Sequence, residues 1–319
     1  MTAGRAPLAV VILTFNEEAN LPACLASVDG WAGSVFVVDS GSVDRTCAIA
    51  SGAGAALVTH PFESHARQWQ WALAALPIEA EWVLALDADQ RVTPELRRAI
   101  DEALVAWQAP GSPAGAYVAR RQVFRGRWIR HGGYYPKYLL KLFRRNAVSV
   151  DADDLVDHHF AVSGPTATLR GDLVEDNANE RSIAAWIEKH NRYAARQARE
   201  EEERWAAGGG LDGARLFGTP DERTRWQKRI WHRLPLYLRP FGYFFYRYVL
   251  RLGVLDGKEG FIFHFMQAFW YRLLVDINRD EQRARAAAAR GDTERASARA
   301  GGIVRKDVGD LQSRPIGHD

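Results

Sequence analysis

Along the first hundred residues the spacing of apolar positions alternates between two periods. LAVVILTF, from Leu8, is short, continuously apolar and rich in β-branched residues, which predicts a buried strand. From Asn16 to Val28 the apolar residues Leu21, Cys24, Leu25 and Val28 recur at helical spacing. SVFVVDS predicts a second strand, Val43 to Ala53 a helix capped by Ser42 or Asp44, and AALVTH a short third strand. Ala66 to Leu76 is again helical and WVLALDAD is a fourth strand. Pro94 then opens a helix, Glu95 to Trp107, in the first turn where proline is tolerated. Strands alternating with helices predict an α/β fold with a mainly parallel central sheet covered on both faces. Such sheets bind ligands beyond the carboxyl ends of their strands. Asn16, Asp39 and Asp87 stand at three of these ends, so they are expected to converge.

Beyond residue 107 the pattern changes. GAYVARRQVF and LLKLFRR read as strands that continue the sheet with mixed pairing, and Gly126, Gly132, Gly133 and Gly164 mark turns. SIAAWIEKHNRYAARQAREEEERWAA predicts a long helix with one stripe of Ile183, Trp186, Ile187, His190 and Tyr193-Ala194, ended by GGGLDG. Residues 226 to 279 are aromatic and basic, with two apolar segments (about 234–253 and 260–277) flanking Leu255-Asp256-Gly257. From 281 the sequence is Ala/Arg-rich and of low complexity, which predicts a frayed helix and then disorder. The expected division is a catalytic domain over 1–225, with halves 1–107 and 108–225, then helices over 226–280 and a tail over 281–319.

Composition narrows this picture only a little. The chain of 319 residues is 47% hydrophobic and 25% charged, ordinary for a folded protein. Its formal net charge of +3 does not point to nucleic acid, and no nucleic-acid motif is present. Cys24 and Cys47 give neither a disulfide framework nor a zinc site and are expected to be small packed residues. The six apolar residues Leu8 to Leu13 are too few for a signal-peptide core. No run of apolar residues reaches the 18 or so expected of a spanning helix.

Asp87 and Asp89 change the picture more. An Asp-x-Asp at a strand end is either a solvated acidic loop and helix cap or a hard-cation site. Mg²⁺ and Mn²⁺ are held by one or two carboxylates together with substrate phosphate oxygens. The neighbouring strand ends favour the second reading. Asp39 in VVDSGSVDRT is suited to a ribose hydroxyl or a base N–H, Gly41 and Ser42 let backbone approach a ligand, and LTFNEE supplies Thr14, Asn16 and Glu17.

VVILTFNEEANLPACLASV, VFVVDSGSVDRTCAIA and WVLALDADQRV resemble the three N-terminal blocks of family 2 glycosyltransferases, which adopt the GT-A fold. GRWIRHGGYYPKYLLKLFRR, WIEKHNRYA and RPFGYFFYRYVLRLGVLDGKEGF are similar to a subgroup acting in bacterial lipopolysaccharide-core, capsule and exopolysaccharide assembly. The resemblance spans about residues 8 to 280. It implies that Thr14, Asn16 and Glu17 border the nucleotide and that Asp39 contacts base or ribose. Gln68 and Arg67 would pass near the nucleotide, and Arg144 or Arg145 would meet the diphosphate. Asp89 would bind the metal directly, with Asp87 nearer the ribose and metal. Gln90 stands where glutamate is frequent. An inverting member needs a base within reach of the acceptor hydroxyl. Asp157 is favoured, with Asp176 or Glu175 and His158 as alternatives. His131 and His159 would hold loops or phosphate.

The basic aromatic segment reads either as amphipathic helices packed on the catalytic domain or as a monotopic anchor. Arg229, Arg233, Arg239, Arg247, Arg251 and Lys258, with Trp231, Tyr237, Tyr243, Tyr246 and Trp270, suit a membrane interface. The resulting expectation is an inverting, Mg²⁺- or Mn²⁺-dependent transferase using a nucleotide-sugar, UDP-linked first. Its acceptor would be a glycolipid or lipid-linked saccharide at the cytoplasmic face of the inner membrane. A polyprenyl-phosphate acceptor and a non-catalytic scaffold of the same fold are the alternatives. Assembly into a homo-oligomer is compatible with either.

Overall fold

The structure is a computed structural model. It describes residues 6–150, 160–180, 182–206, 215, 217–218 and 220–289. In chain order the first half comprises β1 (Ala6–Thr14), α1 (Leu21–Ala26), β2 (Ala32–Asp39), α2 (Thr46–Gly52), β3 (Ala56–Thr59), α3 (His65–Ala75), β4 (Trp82–Asp87), β5 (Gln90–Val92) and α4 (Pro94–Ala106). There follow β6 (Gly115–Phe124), β7 (Arg127–Ile129), β8 (Lys137–Arg144), β9 (Val148–Val150), β10 (Phe160–Val162), β11 (Thr166–Glu175), α5 (Ile183–Ala206), α6 (Pro220–Arg233), α7 (Arg239–Phe245) and α8 (Gly257–His264).

Among the described residues the sheet runs β3-β2-β1-β4-β8-β6-β11-β5, with β7 on β6. β3, β2, β1 and β4 are parallel, β8 is antiparallel to both β4 and β6, β11 is again parallel to β6, and β5 is antiparallel to β11. This is the α/β sheet that the alternating pattern implied, in the GT-A-like mixed arrangement that the family resemblance implied. Period-two alternation sorts its side chains. Leu8, Val10 and Ile12 of β1 join Leu84 and Leu86 against Leu21 and Cys24 of α1 and Leu96 and Ile100 of α4. Ala9 and Val11 face the other way, onto Trp69 and Ala72 of α3.

Several boundaries differ from the periodicity. The first helix begins at Leu21, not Asn16, because Asn16 takes a left-handed backbone (φ 55°) and residues 17–20 form a turn. The second begins at Thr46, where Asp44 accepts the Thr46 backbone N–H at 2.9 Å. α3 and α4 lie within a residue of expectation, capped by Ser64 and Thr93. β11 is concealed in the sequence by Gly171. That residue sits at φ 86° where the β6–β11 register slips, and a Cβ on it would lie 2.3 Å from the backbone N of Leu96. Only glycine permits α4 to approach the strand so closely.

α5 buries Trp186, Ala194 and Ala198, while Ile183 and Ile187 of the expected stripe stay exposed. The C-terminal segment is a helical hairpin. α7 continues through a π turn (Tyr246–Leu250), the chain reverses at 252–257, and α8 continues through a second π turn (Phe265–Trp270) into helix as far as 289. This hairpin packs on the sheet domain and on α5. Phe263 meets Phe124 and Tyr134, Trp270 meets Trp186, and Tyr271 donates to Gln197 at 2.6 Å. No helix among the described residues is long and apolar enough to cross a membrane.

Candidate active site

Parallel register aligns three strand ends. Thr14 pairs with Asp39 and Leu13 with Asp87, so β1, β2 and β4 deliver their polar termini to one level. Asp39 is the best anchored. Its Oδ2 accepts the N–H groups of Gly41 (2.9 Å) and Ser42 (2.8 Å), and its Oδ1 accepts Thr14 Oγ1–H (3.1 Å) and Ser42 Oγ–H (2.5 Å). Burial would raise its pKa, but these bonds, Ser42's first, hold it below the ordinary value. With 1% of its surface exposed, Asp39 shapes the turn that faces the site and spends its acceptors on that turn. Asn16 clasps the same turn. Its backbone N–H donates to Ser42 Oγ (2.7 Å) and its Oδ1 accepts the Val43 N–H (2.9 Å).

Asp87 and Asp89 lie among further carboxylates. β5 pairs with β11 so that Gln90 is opposite Glu175, which brings that acid beside the Asp-x-Asp turn. Asp89 has its pKa raised well above the usual carboxylate range, by burial first, then by Glu175, Asp87 and Glu17, with Lys189 opposing. Glu17 is raised too, by burial first and partly by Asp87 and Asp44. Asp176 is close by, its N–H donating to the Asp89 carbonyl at 3.1 Å and its carboxylate meeting Arg91 at 3.3 Å. Glu175 Oε2 accepts from Gln90 Nε2 (3.0 Å) and Arg120 Nη1 (3.1 Å). Asp157 and His158 lie outside the described residues.

Two expected residues are placed differently. Arg144 pairs in register with Trp82, at the far end of β4, which puts it roughly 16 Å from Asp87 at ~3.3 Å per residue. There it binds Glu81 and stacks on the Trp82 ring at 4.6 Å, so it does not serve the diphosphate. Arg145 is spent on the carbonyls of Leu73 and Ile78. Gln68 is buried and holds His60 (2.8 Å to Nδ1) and Ser40 (3.2 Å), bracing the loop behind Asp39, while Arg67 is exposed and bonds Glu63. The cation that β8 does bring to the site is Lys141. Its side chain is 4% exposed and its Nζ is 2.9 Å from Asp87 Oδ2.

Residues 9–160, from β1 into β10, match the family described as Glycosyl transferase family 2. A family 2 glycosyltransferase domain is thus matched over just under half of this chain. It is similar to the lipopolysaccharide core biosynthesis glycosyltransferase LpsC of Rhizobium meliloti, at 29% identity over 62% of this chain and 72% of LpsC. An uncharacterized glycosyltransferase of Rickettsia bellii is 34% identical over 30% of this chain and 31% of its own length. Among solved structures, glucosyl-3-phosphoglycerate synthase from Mycobacterium tuberculosis, in complex with Mn²⁺, UDP and glucosyl-3-phosphoglycerate, is 25% identical. That likeness covers 39% of this chain and 46% of that one, with a TM-score of 0.27. The chain therefore spans less than half of that structure and about a third of the Rickettsia relative.

The family 2 domain has a donor set that fits a hard cation. Its oxygens are carboxylate, and the repulsion that adds to burial in raising Asp89 is what a divalent ion relieves. Among the described residues no three metal-binding side chains gather at one point. Some residues that shape these strand ends escaped the sequence reading. Lys141 had a signal, since a lysine inside the apolar run YLLKLF must be buried with a partner. Asn20, Asn177 and Asn179 had none. Asn20 receives the Ala178 N–H (2.7 Å), and Asn179 bonds the Asn16 carbonyl (3.1 Å) and Glu17 (3.2 Å). They tie the 176–180 segment across the first strand end, over a separation of some 160 residues.

Proposed function

We propose that this enzyme is an inverting transferase that moves a sugar from a nucleotide-diphosphate donor, UDP-linked, to a saccharide carried on a lipid at a membrane surface. The observation that carries the reading is the convergence of Asp87, Asp89, Glu17 and Glu175 at the carboxyl ends of the sheet, with Lys141 bonded to Asp87. Asp89 and Asp87 would hold Mg²⁺ or Mn²⁺, which when bound neutralises charge on the departing diphosphate. The Gly41–Ser42 turn, fixed by Asp39, and the Asn16 clasp form the floor on which the nucleotide lies. The acceptor hydroxyl attacks the anomeric carbon as the bond to the diphosphate oxygen breaks, and its proton passes to a base. Glu175 is engaged by Arg120 and Gln90 and Asp176 by Arg91, which supports a base in the Asp157-His158 pair, and Asp157 is our choice. Similarity to LpsC supports a lipid-borne saccharide as acceptor. So do the apolar side chains that α7 and its π turn leave in solvent, among them Phe241 (59% exposed), Phe245 and Val249.

A thermal-shift screen of nucleoside diphosphates with and without Mn²⁺ tests the donor site. UDP with Mn²⁺ should give the largest stabilisation, and no response to any diphosphate would overturn the reading. Asp157→Asn should remove transfer while donor binding persists. Full turnover by that variant would move the base to Asp176 or His158.

A further inference from the structure

β6 runs parallel to β4, so its hairpin with β7 rises from the same edge of the sheet that carries the carboxylates. Gln122 of β6 is level with Glu175, which puts the hairpin tip at Arg125-Gly126 three residues further out, roughly 10 Å at ~3.3 Å per residue. β7 lies against the 253–256 turn and against α8. Contacts between the two are specific. The Asp256 carboxylate accepts the backbone N–H groups of Arg130 (3.2 Å) and His131 (2.9 Å) and bonds His131 Nδ1 (2.8 Å). The Arg251 carbonyl accepts the Gly132 N–H at 2.8 Å. The hairpin and the turn therefore present one continuous surface.

That surface has an unusual composition. Arg125, Arg127 and Arg130 from the hairpin, with Arg251 and Lys258 from the turn, are all exposed, and no carboxylate among the described residues pairs with any of them. Some exposed arginines elsewhere do find acids, as Arg45 does with Glu18, Arg67 with Glu63 and Arg192 with Glu188. Interleaved with the five cations are apolar side chains in solvent: Leu250, Leu252, Val254 (47%), Leu255 (56%) and Phe261. A nucleic acid would take the charges and leave the aliphatic groups wet. An anionic bilayer takes both, the cations at the headgroups and the apolar groups at the acyl boundary.

We propose that the β6–β7 hairpin tip and the 250–258 turn together form a docking face for an anionic phospholipid bilayer, with Glu175, at the edge of the carboxylate cluster, roughly 10 Å from the hairpin tip. The proposal rests on the function above only in placing the acceptor at a membrane. It adds that the sheet domain itself touches lipid, through the hairpin, and that the sugar it extends lies close to the lipid anchor.

Sedimentation of the full chain with vesicles of phosphatidylcholine and phosphatidylglycerol (three to one), and with phosphatidylcholine alone, tests it without donor or acceptor. The wild type should bind the anionic vesicles more tightly, and less so as salt rises. Each cation contributes about fivefold, so Arg125→Gln/Arg127→Gln/Arg130→Gln should lose about a hundredfold. Val254→Ser/Leu255→Ser should weaken binding to both vesicle types. Equal binding by the triple variant and the wild type overturns the hairpin's part. A second measurement guards against a misfolded triple variant. Arg125→Cys, in a Cys47→Ser background and carrying an environment-sensitive dye, should shift to the blue on anionic vesicles, and unchanged emission overturns the proposal. Self-association abolished by Val254→Ser/Leu255→Ser, with no vesicle binding by the wild type, assigns the face to a second copy of the chain and also overturns it. Donor binding measured without vesicles is independent, so a protein that binds donor but no lipid loses this inference alone.

Discussion

Replacing Asp276 with leucine removes the centre of the network that fastens the C-terminal helices to the rest of the protein. Asp276 is fully buried. It accepts from Arg239 Nε at 2.8 Å and from the Tyr237 N–H at 2.9 Å, and the Arg239 side chain is 1% exposed. Glu201 of α5 stands 3.5 Å from the same guanidinium and 2.8 Å from Arg279, so three helical segments meet here. Removing one member of a buried ion pair costs about 3–5 kcal/mol because the other charge is left uncompensated. The orphaned Tyr237 N–H adds about 1–3 kcal/mol, and Glu201 returns part of the loss, leaving a net cost of about 4 kcal/mol. With an unfolding entropy of about 0.6 kcal/mol/K for a chain of this size, the Tm should fall by about 7 °C. In Arg239→Met/Asp276→Leu the charge is removed together with its partner, and the loss should shrink to about 2 °C. Scanning calorimetry of the three proteins at one pH decides. A double variant as unstable as the single one, or a single variant within a degree of wild type, would refute the claim that uncompensated burial sets the cost.

Lys141→Met leaves Asp87 without its buried counter-charge, so Mn²⁺ added without nucleotide should bind about tenfold more tightly, Coulomb terms at ~4–6 Å being of this order. Unchanged affinity by calorimetric titration would uncouple Lys141 from the site. His264 is fully buried with neither ring nitrogen hydrogen-bonded, and burial, then the Arg247 charge, lower its pKa from 6.5 to about 4. The folded protein holds this imidazole neutral, so its stabilising contribution is complete above pH 6.5. It is lost as pH falls from 6.5 towards 4, because only the unfolded chain takes up the proton. The decline in Tm between pH 7 and pH 5 should therefore be shallower in His264→Leu. Parallel declines would refute that assignment.

The alternation of strands and helices was legible because it arises from local side-chain period. It placed β1, β2 and β4 and their polar ends together, since parallel strands flanked by helices must end on a common edge. The second half was harder to read. β11 is split by Gly171, whose role is set by α4 approaching from some 75 residues earlier in the chain. Arg144 stood in a promising motif, but the antiparallel direction of β8 carries it to the wrong end of β4 and brings Lys141 to the site in its place. Strand direction is a tertiary choice that local period does not encode. Nor does period encode the clasp of Asn177 and Asn179 over the first strand end, which exists only once the sheet has formed.

The central claim is that the Asp-x-Asp carboxylates hold a divalent ion against a nucleotide diphosphate, and calorimetric titration of UDP into protein with and without Mn²⁺ tests it most directly. Wild type should bind UDP much more tightly with Mn²⁺ present, and Asp89→Asn should bind it equally weakly in both conditions while keeping its wild-type fold. An Asp89→Asn protein that retains the Mn²⁺-dependent gain would contradict the account.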